Sequence, residues 1–221
     1  MILRYHHIHP AIVAALCLLL LAAPAVAYAP AAVSLYETGL GLINTGNYTE
    51  AESAFDAALT LEPSYFEAWN AKADALNRDE KFSEALAASD KTIAINPSYA
   101  RGWINRGYIL YNLGRYEDEL AAYETALKVE PENAEAWFNR GYAFAAAGKY
   151  DEALRSFDRV AEINPDYPNL AANRKIAVKN AEAAQPVYIK YLPFLSAIGV
   201  VAAAAILIFF YARHQKSRKK R

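Results

Sequence analysis

Four prolines, Pro63, Pro97, Pro131 and Pro165, stand 34 residues apart each time, and this interval organises most of the chain. Four units tile residues 32–65, 66–99, 100–133 and 134–167 without a gap. Place 4 of each unit holds Leu35, Trp69, Trp103 and Trp137, and place 8 holds Gly39, Ala73, Gly107 and Gly141. Tyr48, Phe82, Tyr116 and Tyr150 share place 17; Phe55, Ser89, Tyr123 and Phe157 share place 24; Ala58, Thr92, Ala126 and Val160 share place 27. A fixed period of this size constrains the fold more than any composition does. Each unit is too small to bury its own apolar face, so neighbours must stack in series.

Within a unit, apolar residues recur at helical spacing twice. Trp137, Gly141, Phe144 and Ala145 form one stripe, and Tyr150, Ala153, Leu154 and Phe157 form the next. Two amphipathic helices per unit follow. Gly46, Gly114 and Gly148 fall where the first helix must stop in a left-handed conformation, and the prolines prevent the second from continuing. In the second unit Glu80 replaces that glycine, which predicts a looser turn. Small residues at places 8 and 20, such as Gly141 and Ala153, are expected to let the paired helices approach each other.

The period, the W-x3-G/A spacing, the later aromatic, the A-x3-F/Y step and the closing proline resemble the tetratricopeptide repeat family over residues 32–167. The resemblance implies an all-α, right-handed superhelix of four helix-turn-helix repeats. It also implies a concave groove lined by the first helices, which docks a peptide or protein without catalysis or cofactor. Carried over by place, the groove holds Asn70, Asp74 and Asn77 from the second repeat, and Arg101, Asn105, Tyr108, Tyr111 and Asn112 from the third. Glu135, Phe138, Asn139 and Tyr142 come from the fourth repeat, and Tyr36 from the first. A side-chain amide both donates and accepts, so Asn105 and Asn139 suit the main chain of an extended peptide, while tyrosines give contact area at low entropic cost. Some members of the family clamp a peptide's terminal carboxylate with Lys, Asn and Arg. Here Tyr36, Leu40 and Ala71, or Asp74 and Glu135, occupy matching places, so binding of that kind is not expected.

Outside the repeats the chain reads as topogenic sequence. Residues 1–27 resemble a secretory signal, with Arg4, the apolar run AIVAALCLLLLA, and small residues at Ala25 and Ala27 that fit a cut before Tyr28; an uncleaved signal anchor is the alternative. Residues 191–211 are 21 residues without a charge, enough at roughly 1.5 Å per residue to cross a bilayer core. The tail, 212–221, carries six of the chain's Lys/Arg residues and predicts a cytoplasmic end, with the repeats on the extracytoplasmic side. Gly199 and Ala203 form a small-xxx-small pair suited to weak association of two such helices. A tail-anchored adaptor facing the cytosol and a self-associating spacer are the competing readings. Residues 168–186 are expected to form a capping helix and linker, with Leu170, Ala177, Ala181 and Ala184 on the packed face.

Between Tyr28 and Pro186 there are 15 Lys/Arg and 24 Asp/Glu, and no Cys, His or Met. That balance argues against nucleic acid, and it removes thiolate and imidazole chemistry from the repeats. Three departures from the pattern remain. Glu119 takes place 20, where alanine stands in the other units, and is expected to pair with Arg115 or to reach outward. Arg106 and Arg140 at place 7 are expected to brace neighbouring helices through acids. Asn47-Tyr48-Thr49 is an N-glycosylation acceptor pattern in the first turn.

Overall fold

A computed structural model describes residues 28–184. The signal-like segment, residues 185–190, the apolar run 191–211 and the basic tail lie outside the described residues. Among the described residues there is no strand, and no helix is long and apolar enough to cross a membrane. The helices are α1 Pro30–Asn44, α2 Tyr48–Leu61, α3 Phe66–Arg78, α4 Phe82–Ile95, α5 Ala100–Asn112, α6 Tyr116–Val129, α7 Ala134–Ala146, α8 Tyr150–Ile163 and α9 Leu170–Ala184. They fall into two compact units, one ending at Pro131 with α1–α6 and one beginning at Glu132 with α7–α9.

Each hairpin turns through one left-handed residue. Gly46, Gly114 and Gly148 have φ of 80°, 71° and 73°, and Glu80 has φ of 59°. In all four turns the following residue donates its N–H to the carbonyl five back at 2.9 Å, as in Asn47 to Leu42 and Lys81 to Leu76. The looser turn expected at Glu80 is therefore not found. The bonds that close the helix end outweigh the roughly 1–2 kcal/mol a side chain loses in the left-handed region.

Inside the hairpins, the space left by glycine at place 8 is filled from place 24. A Cβ at Gly39 would lie 2.4 Å from the Phe55 ring, at Gly107 2.5 Å from Tyr123, and at Gly141 2.7 Å from Phe157. Ala51, Ala85 and Ala153 at place 20 are fully buried, as expected where the helices approach, and the ring at place 24 fills the space beside each of these glycines. The second repeat confirms the exchange of volume, because Ala73 at place 8 goes with Ser89 at place 24, both fully buried.

Between repeats, Trp69 Nε1 donates to the Pro63 carbonyl and Trp103 Nε1 to Pro97, each at 2.9 Å. Each tryptophan thus ties the start of its helix to the preceding turn. Ile109 of α5 joins Ala73, Leu76, Ala85 and Ala88 in one buried cluster, which links the second and third repeats. A charge pair recurs beside these contacts. Lys72 meets Asp56 at 2.6 Å, Arg106 meets Asp90 at 2.9 Å, and Arg174 meets Asp158 at 2.7 Å, always place 7 on place 25 of the unit before. By this register α9 is the first helix of a fifth repeat that has no second helix among the described residues. Its Leu170 and Ala177 are buried, Ala181 is half-buried, and Ala184, expected on the packed face, is exposed at the last turn.

Candidate docking face

In the first unit α1, α3 and α5 neighbour one another in order. An amide ladder joins the last two. Asn105 Nδ2 donates to the Asn70 carbonyl at 3.1 Å and to Asn70 Oδ1 at 3.2 Å, and Asn112 Nδ2 donates to Asn77 Oδ1 at 2.8 Å. The partners are 35 residues apart, one more than the repeat, which is why aligned columns conceal them. Asn77 is buried, and this bond replaces the water it gives up. The ladder uses half of each amide: Asn105 Oδ1, Asn112 Oδ1 and Asn70 Nδ2 keep an acceptor, an acceptor and a donor.

Around the ladder, Asp74 pairs with Arg78 at 3.0 Å, Arg101 is exposed, and Tyr108 is 52% exposed. Tyr111 lies with its ring centroid 6.2 Å from that of Tyr116. Tyr36, expected on the groove, is half-buried, 5.1 Å from the Tyr65 ring and 6.0 Å from Phe55. Burial pushes its phenol up, Glu67 adds to the rise and Arg101 opposes it. Tyr28 stacks on Tyr65 at 3.9 Å and donates its hydroxyl to Glu67 Oε2 at 3.2 Å, while Ala29 N donates to Glu62 Oε1 at 3.0 Å. Desolvation, chiefly, raises both Tyr28 and Tyr65 to about 12. This aromatic seal is invisible in the repeat pattern because Tyr28 precedes the first unit.

In the second unit Phe138 turns its ring inward, 5.0 Å from Tyr167 and 5.7 Å from Phe157. Asn139 is partly buried, Glu135 is exposed and Tyr142 is 47% exposed. Arg140 lies 4.6 Å over the Phe144 ring and donates to Ser156 Oγ at 3.0 Å. Its long stem packs while its head finds a partner. Arg106, in the first unit, reaches an acid as expected.

Glu119 departs from expectation. Arg115 pairs with Asp118 instead, and Glu119 is 2% exposed, in α6. Burial alone raises its carboxyl to about 7. At place 20 the side chain lies against the paired helix, and almost none of it is exposed. Asn47 is exposed in its turn and its carboxamide has no hydrogen-bond partner among the described residues. No group of three His, Cys, Asp or Glu side chains among the described residues is placed to hold a metal ion.

The tetratricopeptide repeat profile matches residues 36–100, 78–123 and 104–168, and the chain belongs to this family. A search of curated protein sequences finds no match. Among solved structures, the chain is similar to Pseudomonas aeruginosa pilF at TM-score 0.64 and 24% identity, over 69% of this chain and 70% of that one. It is similar at TM-score 0.51 and 27% identity to the first repeat domain of Spaghetti (RPAP3) bound to the HSP90 peptide SRMEEVD, over 53% of this chain and 93% of that one. YrrB, described as having an unusual peptide-binding site, matches at TM-score 0.55 and 22% identity, over 70% and 79%.

Proposed function

We propose that this chain is a membrane-anchored, non-catalytic interaction module whose first helices dock an extended peptide segment of a protein partner. The observation that carries the reading is the amide ladder. Asn70, Asn105, Asn77 and Asn112 are held by one another, so their remaining donors and acceptors are fixed before a ligand arrives. Fixed main-chain-like groups beside an exposed tyrosine bind with little further ordering. Asn139 and Tyr142 supply the equivalent residue types on α7. The similar Spaghetti repeat domain is bound to a peptide and YrrB has a peptide-binding site, which supports the class of ligand. The carboxylate-clamp chemistry does not carry over, because Asp74 is already paired with Arg78 and would repel a terminal carboxylate.

Anchoring and orientation rest on the sequence: residues 1–27 direct export, residues 191–211 stop transfer, and the basic tail stays cytoplasmic. Protease added to intact cells should then digest residues 32–167 and spare the tail; the reverse pattern overturns the orientation. For docking, a photo-cross-linking residue at Tyr108 in native membranes should capture a partner that the same residue at Leu61, an exposed position on α2, does not. Capture from Leu61 alone places the docking surface on another face.

A further inference from the structure

The end of the described chain differs in character from the rest. Residues 28–169 carry 12 Lys/Arg and 23 Asp/Glu, whereas residues 170–184 carry three basic residues and one acid. In the earlier repeats the first helix is covered by a second; α9 has none among the described residues, and its side turned away from Leu170 and Ala177 is exposed. Arg174 is engaged with Asp158, but Lys175 and Lys179, one turn apart on that open side, have no partner among the described residues. Ile176 lies beside them and is 56% exposed, more than any other large hydrophobic residue described. Ala172 and Ala183 extend the same strip, and Glu182 is the one acid of α9, at its edge. A strip of lysine and isoleucine on an otherwise acidic body has the pattern of an interfacial helix, with apolar groups at the acyl boundary and cations among phosphates.

The length of chain beyond α9 decides the occupant. Six residues, 185–190, separate Ala184 from the apolar run at Tyr191. At roughly 3.3–3.6 Å per residue they reach at most about 20–25 Å. The strip is thereby confined to the neighbourhood of the bilayer, at an effective concentration that a soluble partner must exceed.

We infer that the open face of α9 seats on a bilayer surface carrying anionic headgroups and holds the second unit against the membrane. This rests on the reading of residues 191–211 as a span. Each lysine near such a surface contributes roughly five-fold in occupancy, screened by salt. The test uses the full chain, with Cys17→Ser and an environment-sensitive fluorophore on Ala183→Cys, in phosphatidylcholine vesicles with or without phosphatidylglycerol. Expected are co-flotation with both vesicles, and a blue shift only with phosphatidylglycerol that high salt reverses. Lys175→Glu with Lys179→Glu should abolish the shift while circular dichroism stays unchanged, since both side chains are exposed. Co-flotation with the same emission in both vesicles overturns the seating and leaves the anchor intact. Failure to co-float overturns both.

Discussion

The second and third repeats share one backbone and reach it with different residues. The α3–α4 hairpin uses Ala73 against Ser89 and turns at Glu80; the α5–α6 hairpin uses Gly107 against Tyr123 and turns at Gly114. The third repeat alone buries a carboxyl, Glu119, where the second has Ala85. The helix pair therefore specifies a volume and a set of backbone bonds, not residue identities. A side chain may move from one helix to its partner if the sum is kept, and an unfavourable turn residue is tolerated when the closing bonds are made.

The largest effect is expected at Gly107. Gly107→Ala places a methyl 2.5 Å from the Tyr123 ring, which must shift, and we expect a loss of about 2–3 kcal/mol in thermal unfolding of the full chain. Adding Tyr123→Ser, to copy the second repeat, should restore part of it. A double variant less stable than the sum of its parts would show that the two positions do not exchange volume.

Glu119 separates the two repeats by pH. Its carboxyl is raised from the ordinary 4.5 to about 7 in the fold, so the folded state holds a proton that the unfolded state releases. Stability therefore falls as pH rises from 4.5 to 7, and the full penalty is present above that. Glu119→Gln should be more stable than the parent by about 2 kcal/mol at pH 8, an advantage that fades towards pH 4.5. Parallel stability curves for parent and variant across this range would mean the carboxyl reaches water.

The smallest effect lies in the turns. Glu80→Gly should stabilise by about 0.5–1 kcal/mol, because the glycine sites show no atom within 4 Å of an added Cβ and only the backbone conformation is at stake. Gly114→Ala should destabilise by a similar amount; equal melting of all these variants would remove the case for a left-handed penalty.

Periodicity, helix pairs and turn positions were legible in the sequence, since period and punctuation act locally. The ladder was only half legible. Asn70, Asn77, Asn105 and Asn112 were expected on the face, but as free groups facing a ligand. Their mutual bonds depend on how far one first helix slides along the next, and that offset makes the partners 35 residues apart instead of 34. Tyr28 and Glu67 escaped for the same reason, being joined by packing and not by spacing.

The family, the number of complete repeats and the places where helices end follow from residue size, backbone freedom and the 34-residue interval, all of which are local to the chain. Which partner fills the space beside Gly39, Gly107 and Gly141 is settled by packing between the helices. Packing likewise settles that Glu80 adopts the glycine turn, that Glu119 stays buried, and that α9 continues the repeat register. Those outcomes come from the balance of burial, closing hydrogen bonds and conformational cost between helices, which no single position carries.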